Sequence, residues 1–428
     1  MVCPVLERAS QQKIDAPTEY PYEPLYRPWS WVLSTFGNFF IFAAIVLVGY
    51  ALYRRRRRKS SKNGPEPSVS FRRVDQGKKR EGRDDVLVLG AETSFGRHLV
   101  KRLLADGGYN VHCLHSYIPY QEDRLRDVCS YIQADICCYD DMLLCTREVK
   151  AVFHAGNLAP RDSFGKRVDF LHHNVKGTEN VVCVCRENGV KRLVYTSSAA
   201  VVVGKDWSRR NADETAPYPK SHGNVYRASL ASAEQVVLDA NGKDGLSTCA
   251  MRLAPVIWSE NDPLIESLLT QSMLVVDGSA HSVTAVTPEA AARAHVIADK
   301  KLQSGSDSVV GGKAYNLGDN ARTSYRDLVG TLSSDDKTIW SQPPPTEISK
   351  SVMTVLAYVN YYGYKLTGTL VHNVTVSPLM MDIHTTELSF SSTRAKQDLG
   401  WEEKTEWQTA VAGLVQAHKA GREGKKEQ

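Results

Sequence analysis

The chain has 428 residues, 42% of them hydrophobic and 24% charged, which is enough for a substantial core and leaves room for one large domain or two ordinary ones. The formal net charge of +5 is more than accounted for by one run, Arg54 to Arg58 plus Lys59, so the remainder is near neutral and nucleic-acid binding has no support. Nine cysteines without a CxxC pair read as reduced thiols, and neither a disulfide framework nor a metal site is expected.

Residues 1–28 are polar and slightly acidic and read as a short non-cytosolic segment. Residues 29–53, WSWVLSTFGNFFIFAAIVLVGYALY, contain no charge. At about 1.5 Å per residue, a helix of this length crosses a hydrocarbon core of about 30 Å. Trp29, Trp31, Tyr50 and Tyr53 suit the two interfaces. A cleaved signal peptide would begin with a basic segment and have a shorter apolar core. The basic run follows at once, so the positive-inside rule puts the C-terminal bulk in the cytosol. Residues 54–84 combine this stop-transfer run with a polar stretch rich in Gly, Pro and charge, which reads as a flexible tether.

From Asp85 onward the pattern alternates. VLVLG (Val86 to Gly90) suits a buried parallel strand, and RHLVKRLLADG sets Leu99, Val100, Leu103 and Leu104 on one helical face. YNVHCLHS, AVFHAG, RLVYTSS and STCAMRL supply further strands, with helical segments such as NVKGTENVVCVCRENG between them. Such alternation predicts an α/β fold: a Rossmann-type doubly wound parallel sheet, preceded by one transmembrane helix.

The first strand–turn–helix unit, GAETSFG, is where a dinucleotide pyrophosphate would bind. Gly90 and Gly96 keep the spacing of a GxxGxxG turn, but Thr93 holds the central glycine position. Its Cβ is expected to crowd the turn or the diphosphate. The next strand ends in Leu114-His115-Ser116, without the carboxylate that would receive the ribose hydroxyls of NAD. Arg97 at the helix start could meet a 2′-phosphate, which favours NADP over NAD, and Asp135 in QADI could contact adenine or be an ordinary loop aspartate.

Later segments resemble the 3β-hydroxysteroid dehydrogenase/isomerase family of the extended short-chain dehydrogenase/reductases. They are VFHAG at Val152, NVKGTENVVCVCRENGVKRLVYTSSAAVVVG at Asn174 and DETAPYPKSHGNVYRASLASAEQVVLDANG at Asp213. TPEAAARAHVIA at Thr287, KAYNLGDN at Lys313 and RAKQDLGW at Arg394 also fit. The resemblance implies a dehydrogenase domain over residues 85–420, with its smaller substrate-facing region mainly at 262–390. It implies binding of NAD or NADP, with His154 of VFHAG among the cofactor-binding positions. It further implies hydride transfer at a 3β-hydroxyl or 3-keto group of a sterol, steroid or other lipid. The expected setting is the endoplasmic reticulum or another endomembrane, and a homo-oligomer is compatible with it.

By motif position Ser198 is the serine that orients the substrate oxygen and Tyr226 the phenol that exchanges its proton. Position 230, one helical turn from Tyr226, is leucine where the family pattern has lysine. An unassisted phenol has a pKa of about 10, so roughly one in a thousand is ionised at neutral pH. Thr93, His115 and Leu230 together open a second reading, a catalytically impaired member that binds a lipid or protein partner. Residues 350–374 are apolar in patches but too polar for a second span, and suit a membrane interface, a cover over a lipid cleft or an ordinary core helix pair. The orientation makes one prediction: the sequon Asn373-Val374-Thr375 faces the cytosol and stays unmodified, so a glycosidase-sensitive mass shift lost in Asn373→Gln would overturn it.

Overall fold

The computed structural model describes residues 72–75, 79–116, 129–157, 170–204, 209–223, 225–257, 259, 274–276, 282–318, 323–324, 327, 346–367, 387–404 and 409–416. The predicted span at 29–53 and the sequon at Asn373 lie outside these residues. No helix among the described residues is long and apolar enough to cross a membrane.

In chain order the elements are β1 (Arg72–Asp75), β2 (Asp84–Leu89), α1 (Ser94–Asp106), β3 (Tyr109–His115), β4 (Cys129–Gln133), α2 (Tyr139–Cys145) and β5 (Ala151–His154). A π turn at Leu171–Lys176 leads into α3 (Gly177–Glu187), then β6 (Arg192–Ser198), a 3₁₀ turn (Ala199–Val202), β7 (Arg209–Ala212), α4 (Val225–Asp239) and β8 (Ser247–Leu253). Short strands β9 (Val256–Ile257), β10 (Leu274–Val276), β11 (Ser282–Val283) and β12 (Ala285–Val286) precede α5 (Pro288–Leu302) and β13 (Ala314–Leu317). The chain continues through β14 (Thr323–Ser324), β15 (Thr346–Ile348), α6 (Lys350–Thr367) and β16 (Leu388–Phe390).

Eight strands form one sheet in the order β1-β4-β3-β2-β5-β6-β8-β13. All neighbours are parallel except β1, which joins β4 antiparallel. The strand order reverses between β2 and β5, the switch point at which open α/β sheets hold their ligands. Val86 to Leu89, Ala151 to His154 and all of β8 are buried, as strands covered by helices on both faces must be. Helices α1 and α5 close one face through Leu99, Leu103, Ala291 and Ala294, and α3 and α4 close the other through Val181, Val184, Ala233 and Val237.

Two expectations change. The tether is shorter than composition suggested, because Arg72–Asp75 forms the edge strand β1. An edge position accepts a short polar strand with one open side, so no hydrophobic alternation announces it. The small C-terminal region is also not one continuous segment: its four-stranded sheet, β14-β11-β16-β7, borrows β7 from residues 209–212.

Polar groups lock the core. At the N-terminal ends of the strands, Arg192 Nε donates to Asp299 Oδ1 at 2.7 Å, its Nη2 to Asp84 Oδ2 at 2.6 Å, and Tyr109 Oη to Asp299 Oδ2 at 3.0 Å. In α5, His295 donates from Nδ1 to Ala291 O at 2.8 Å and accepts Thr196 Oγ1 at Nε2, 3.0 Å away. His154 accepts Gly156 N–H at Nδ1 and donates from Nε2 to Thr178 Oγ1. Those partners require the neutral ring. Burial lowers His154 to about 3, helped by His173, and His295 to about 4.

The unfolded chain therefore gains protons below about pH 6.5 that the native ring refuses, and stability falls as the pH drops. Between pH 7.5 and 5 each histidine is expected to cost about 2 kcal/mol. Denaturant unfolding at the two pH values measures this, and equal stabilities would refute it.

Candidate active site

The site lies at the C-terminal ends of β2 and β5. Gly90 ends β2 at φ 73°, a conformation that costs glycine little and other residues much. A Cβ there would stand 2.5 Å from Gly156 Cα just beyond β5, and one at Gly96 would stand 2.1 Å from Gly90 O. Backbone thus packs on backbone where strand, turn and helix meet.

Thr93 does not crowd this turn. It is the N-cap of α1, with Oγ1 accepting Gly96 N–H at 2.9 Å and donating to Gly90 O at 2.8 Å. The side chain is folded into the turn, replacing the expected obstruction with a cap. Gly90, Thr93 and Gly96 therefore form an intact turn, whose first helical amides and positive dipole end suit a pyrophosphate.

The end of β3 changes a second expectation. His115 and Ser116 carry no acid, yet a carboxylate stands there: Glu92 reaches from the glycine turn, and Ser116 N–H and Oγ–H donate to its Oε1 at 3.0 and 2.9 Å. An acid inside the turn was the available signal, but strand-end reasoning looks past it. Arg97 is exposed and donates from Nε to Glu92 O at 3.2 Å. Asp135 follows β4, where its Oδ1 accepts Cys137 N–H at 2.8 Å in an Asx turn. His154 differs from the expectation, because both ring nitrogens hold the β5 turn to α3 and neither is offered to a nucleotide.

Ser198 and Tyr226, the positions expected to be catalytic, sit at the same end of the sheet. Ser198 closes β6, half-buried, with Oγ accepting Ala200 N–H at 3.2 Å. Tyr226 lies in the first turn of α4, its ring 5.5 Å from that of Phe170. It packs against a cluster containing Ala199 and Val201, directly after Ser198. Two bonds fix this turn: Asn174 Nδ2 donates to Ser229 Oγ at 3.0 Å, and Ser229 Oγ donates to Tyr226 O at 2.7 Å.

Farther along α4, fully buried Glu234 accepts Arg252 Nη2 of β8 at 2.7 Å and the hydroxyl of Tyr218. Burial and the Glu234 charge hold the Tyr218 phenol well above its usual range. Leu230 is 2% exposed, within the cluster of Val201, Val202, Leu388 and Phe390. Lys220 is exposed. Among the described residues, no group of three metal-ligating side chains is placed to hold an ion.

With this geometry in view, residues 87–343 match the model of the 3-beta hydroxysteroid dehydrogenase/isomerase family. The chain belongs to that family. It is similar to 3beta-hydroxysteroid-dehydrogenase/decarboxylase isoform 1 of Arabidopsis thaliana, 30% identical over 63% of this chain and 62% of the relative. It is also similar to human sterol-4-alpha-carboxylate 3-dehydrogenase, decarboxylating, 29% identical over 59% and 66%. The match thus spans about three fifths of the plant relative's length. Among solved structures it resembles the dTDP-glucose 4,6-dehydratase DesIV of Streptomyces venezuelae with NAD bound, with a TM-score of 0.59, 18% identity, and 79% and 98% of the two chains covered. That likeness shows the fold.

The cap on α1 is directly testable. Thr93→Val keeps the shape and removes both hydrogen bonds, and should cost about 1–2 kcal/mol by chemical denaturation. Unchanged stability would show that the hydroxyl does not hold the turn.

Proposed function

We propose that this chain is a membrane-anchored oxidoreductase that interconverts a 3β-hydroxyl and a 3-keto group on a sterol or steroid with NAD or NADP. One observation carries the reading. Ser198 and Tyr226 stand at the same end of the sheet as the glycine turn, on elements tied down by Asn174, Ser229 and the Glu234–Arg252 pair. The plant and human relatives are named for 3-dehydrogenation of steroids and sterols, which supports the substrate class.

Gly90, Thr93 and Gly96 would hold the pyrophosphate, and Asp135 would meet the adenine. The nicotinamide, when bound, gives or takes the hydride. In oxidation the Tyr226 phenolate would accept the proton of the substrate hydroxyl, and in reduction the neutral phenol would return one. The Ser198 hydroxyl donates to the substrate oxygen and fixes its direction. Gly156 and the Thr93 cap keep the turn in place while this happens.

The lipid side has its own support. Val352, Val355, Leu356, Val359 and Tyr362 of α6 are 42–54% exposed along one face, while Met353 and Ala357 are buried on the other. A stripe with this spacing suits the interface of the bilayer that residues 29–53 are proposed to cross.

Leu230 favours a second reading. Position 230, one turn from Tyr226, is held by a leucine that belongs to an apolar cluster. A member impaired in this way would bind a lipid without turning it over.

Turnover of a 3β-hydroxysteroid panel by the full chain in detergent separates the two. Under the first reading, turnover is measurable, Tyr226→Phe lowers it about 10²-fold or more, and Leu230→Lys raises it at least about tenfold. A folded protein with no turnover, before and after Leu230→Lys, would overturn the first, and little affinity for either dinucleotide would accord with the second.

A further inference from the structure

A thiol and an imidazole meet where the loop after β4 touches the π turn before α3. Cys137 Sγ lies 3.9 Å from His173 Nδ1 and 3.7 Å from His172 O. The Cys137 N–H is fixed by Asp135 Oδ1 at 2.8 Å, and its side chain is only partly buried. The other described cysteines, Cys138 apart, are buried, and burial pushes the Cys185 and Cys249 thiols up.

The far nitrogen of the ring decides what Nδ1 can do. His173 Nε2 lies 3.0 Å from Gly156 O. A carbonyl oxygen only accepts, so Nε2 carries the proton and, in the neutral ring, Nδ1 offers the thiol a lone pair. His172 O can accept a hydrogen bond from the thiol but cannot keep its proton, whereas the imidazole can. Transfer leaves a thiolate beside an imidazolium still bound to Gly156 O. The thiolate is the nucleophile of cysteine chemistry, and a free thiol with a pKa of about 8.5 is only roughly 3% ionised at neutral pH. Pairing can therefore raise its reactivity by up to about 30-fold, less what the weaker basicity of the sulfur takes away.

Cys138 supplies the contrast within the same loop. It too is partly buried, but it caps α2 without a side-chain hydrogen bond. That helix has seven residues and opens with Asp140 and Asp141, whose charges oppose a thiolate.

We propose that Cys137 is a peroxide-reactive thiol that His173 activates. The imidazole takes the thiol proton, and the sulfur attacks one oxygen of hydrogen peroxide. The S–O bond forms as the O–O bond breaks, and the departing hydroxide takes the imidazolium proton to leave as water. Sulfur is oxidised by two electrons to the sulfenic acid, peroxide is reduced, and His173 returns to its neutral form. No step uses a nucleotide or Tyr226, so the site stands apart from the oxidoreductase reading. A cysteine that merely fills the loop would react no faster than Cys138 and would be indifferent to His173.

The experiment treats the full chain in detergent with hydrogen peroxide at neutral pH in the presence of dimedone, which traps sulfenic acids. Fragment-ion mass spectrometry then follows labelling at each cysteine with time, for wild type and His173→Gln. The glutamine amide keeps a donor for Gly156 O but has no basic nitrogen. Cys137 should label about tenfold or more faster than Cys138, and His173→Gln should slow Cys137 about tenfold while leaving Cys138 unchanged. Equal labelling of the two in wild type overturns the proposal, as does a Cys137 rate unmoved in the folded variant. A fall at both cysteines also overturns it, because His173 would then be acting on the whole loop. Should His173→Gln fail to fold, the wild-type ratio decides alone.

Discussion

Everything at the ligand end of this domain depends on one backbone contact. Gly90 and Gly156 end neighbouring strands at the switch point, and Gly96 begins the helix that leans on both; a single Cβ at Gly90 or Gly96 would enter space already filled by main chain. Close packing of this kind sets where α1 starts and where its positive end points. With the turn drawn tight, Thr93 can reach Gly90 O and Gly96 N–H at once, and the Glu92 side chain projects across to β3. Cap and carboxylate are therefore consequences of the glycine contact.

The second fixed element is α4, which carries Tyr226. Its anchorage is polar at two levels: the Asn174–Ser229 bond near its start and the Glu234–Arg252–Tyr218 group farther along. A buried ion pair is a poor source of net stability, but losing one partner strands the other charge, so such a pair resists rearrangement. Between these two anchors, Leu230 faces Leu388 and Phe390 of β16 as well as the turn after Ser198. Leu230 thus contributes to packing the small sheet onto the helix.

The central fold was legible because its strands are buried on both faces and read as apolar runs, and because the glycine spacing marks the first crossover. That Ser198 ends a strand and Tyr226 begins a helix was legible through the segments flanking them. What escaped was geometry that runs across the sequence. Glu92 and Ser116 are 24 positions apart, and no local pattern joins them. Thr93 was misread because substitution for glycine was judged by bulk, when its hydroxyl had two partners within the turn. His154 lies in a family motif but spends both nitrogens inside the protein, which only the contacts with Gly156 and Thr178 reveal. The strand β1 is RRVD, polar and without alternation, and is recognisable only by its pairing with β4.

That edge strand sets the length of a leash. Eighteen residues separate Tyr53 from Arg72, and at about 3.3–3.6 Å per residue they extend no farther than roughly 65 Å. With residues 29–53 in a bilayer, as proposed, β1 cannot drift farther than that from the end of the span. The domain would then sample a thin shell of cytosol above the membrane, and encounter with a lipid-dissolved substrate becomes a matter of rolling over a surface and not of searching a volume.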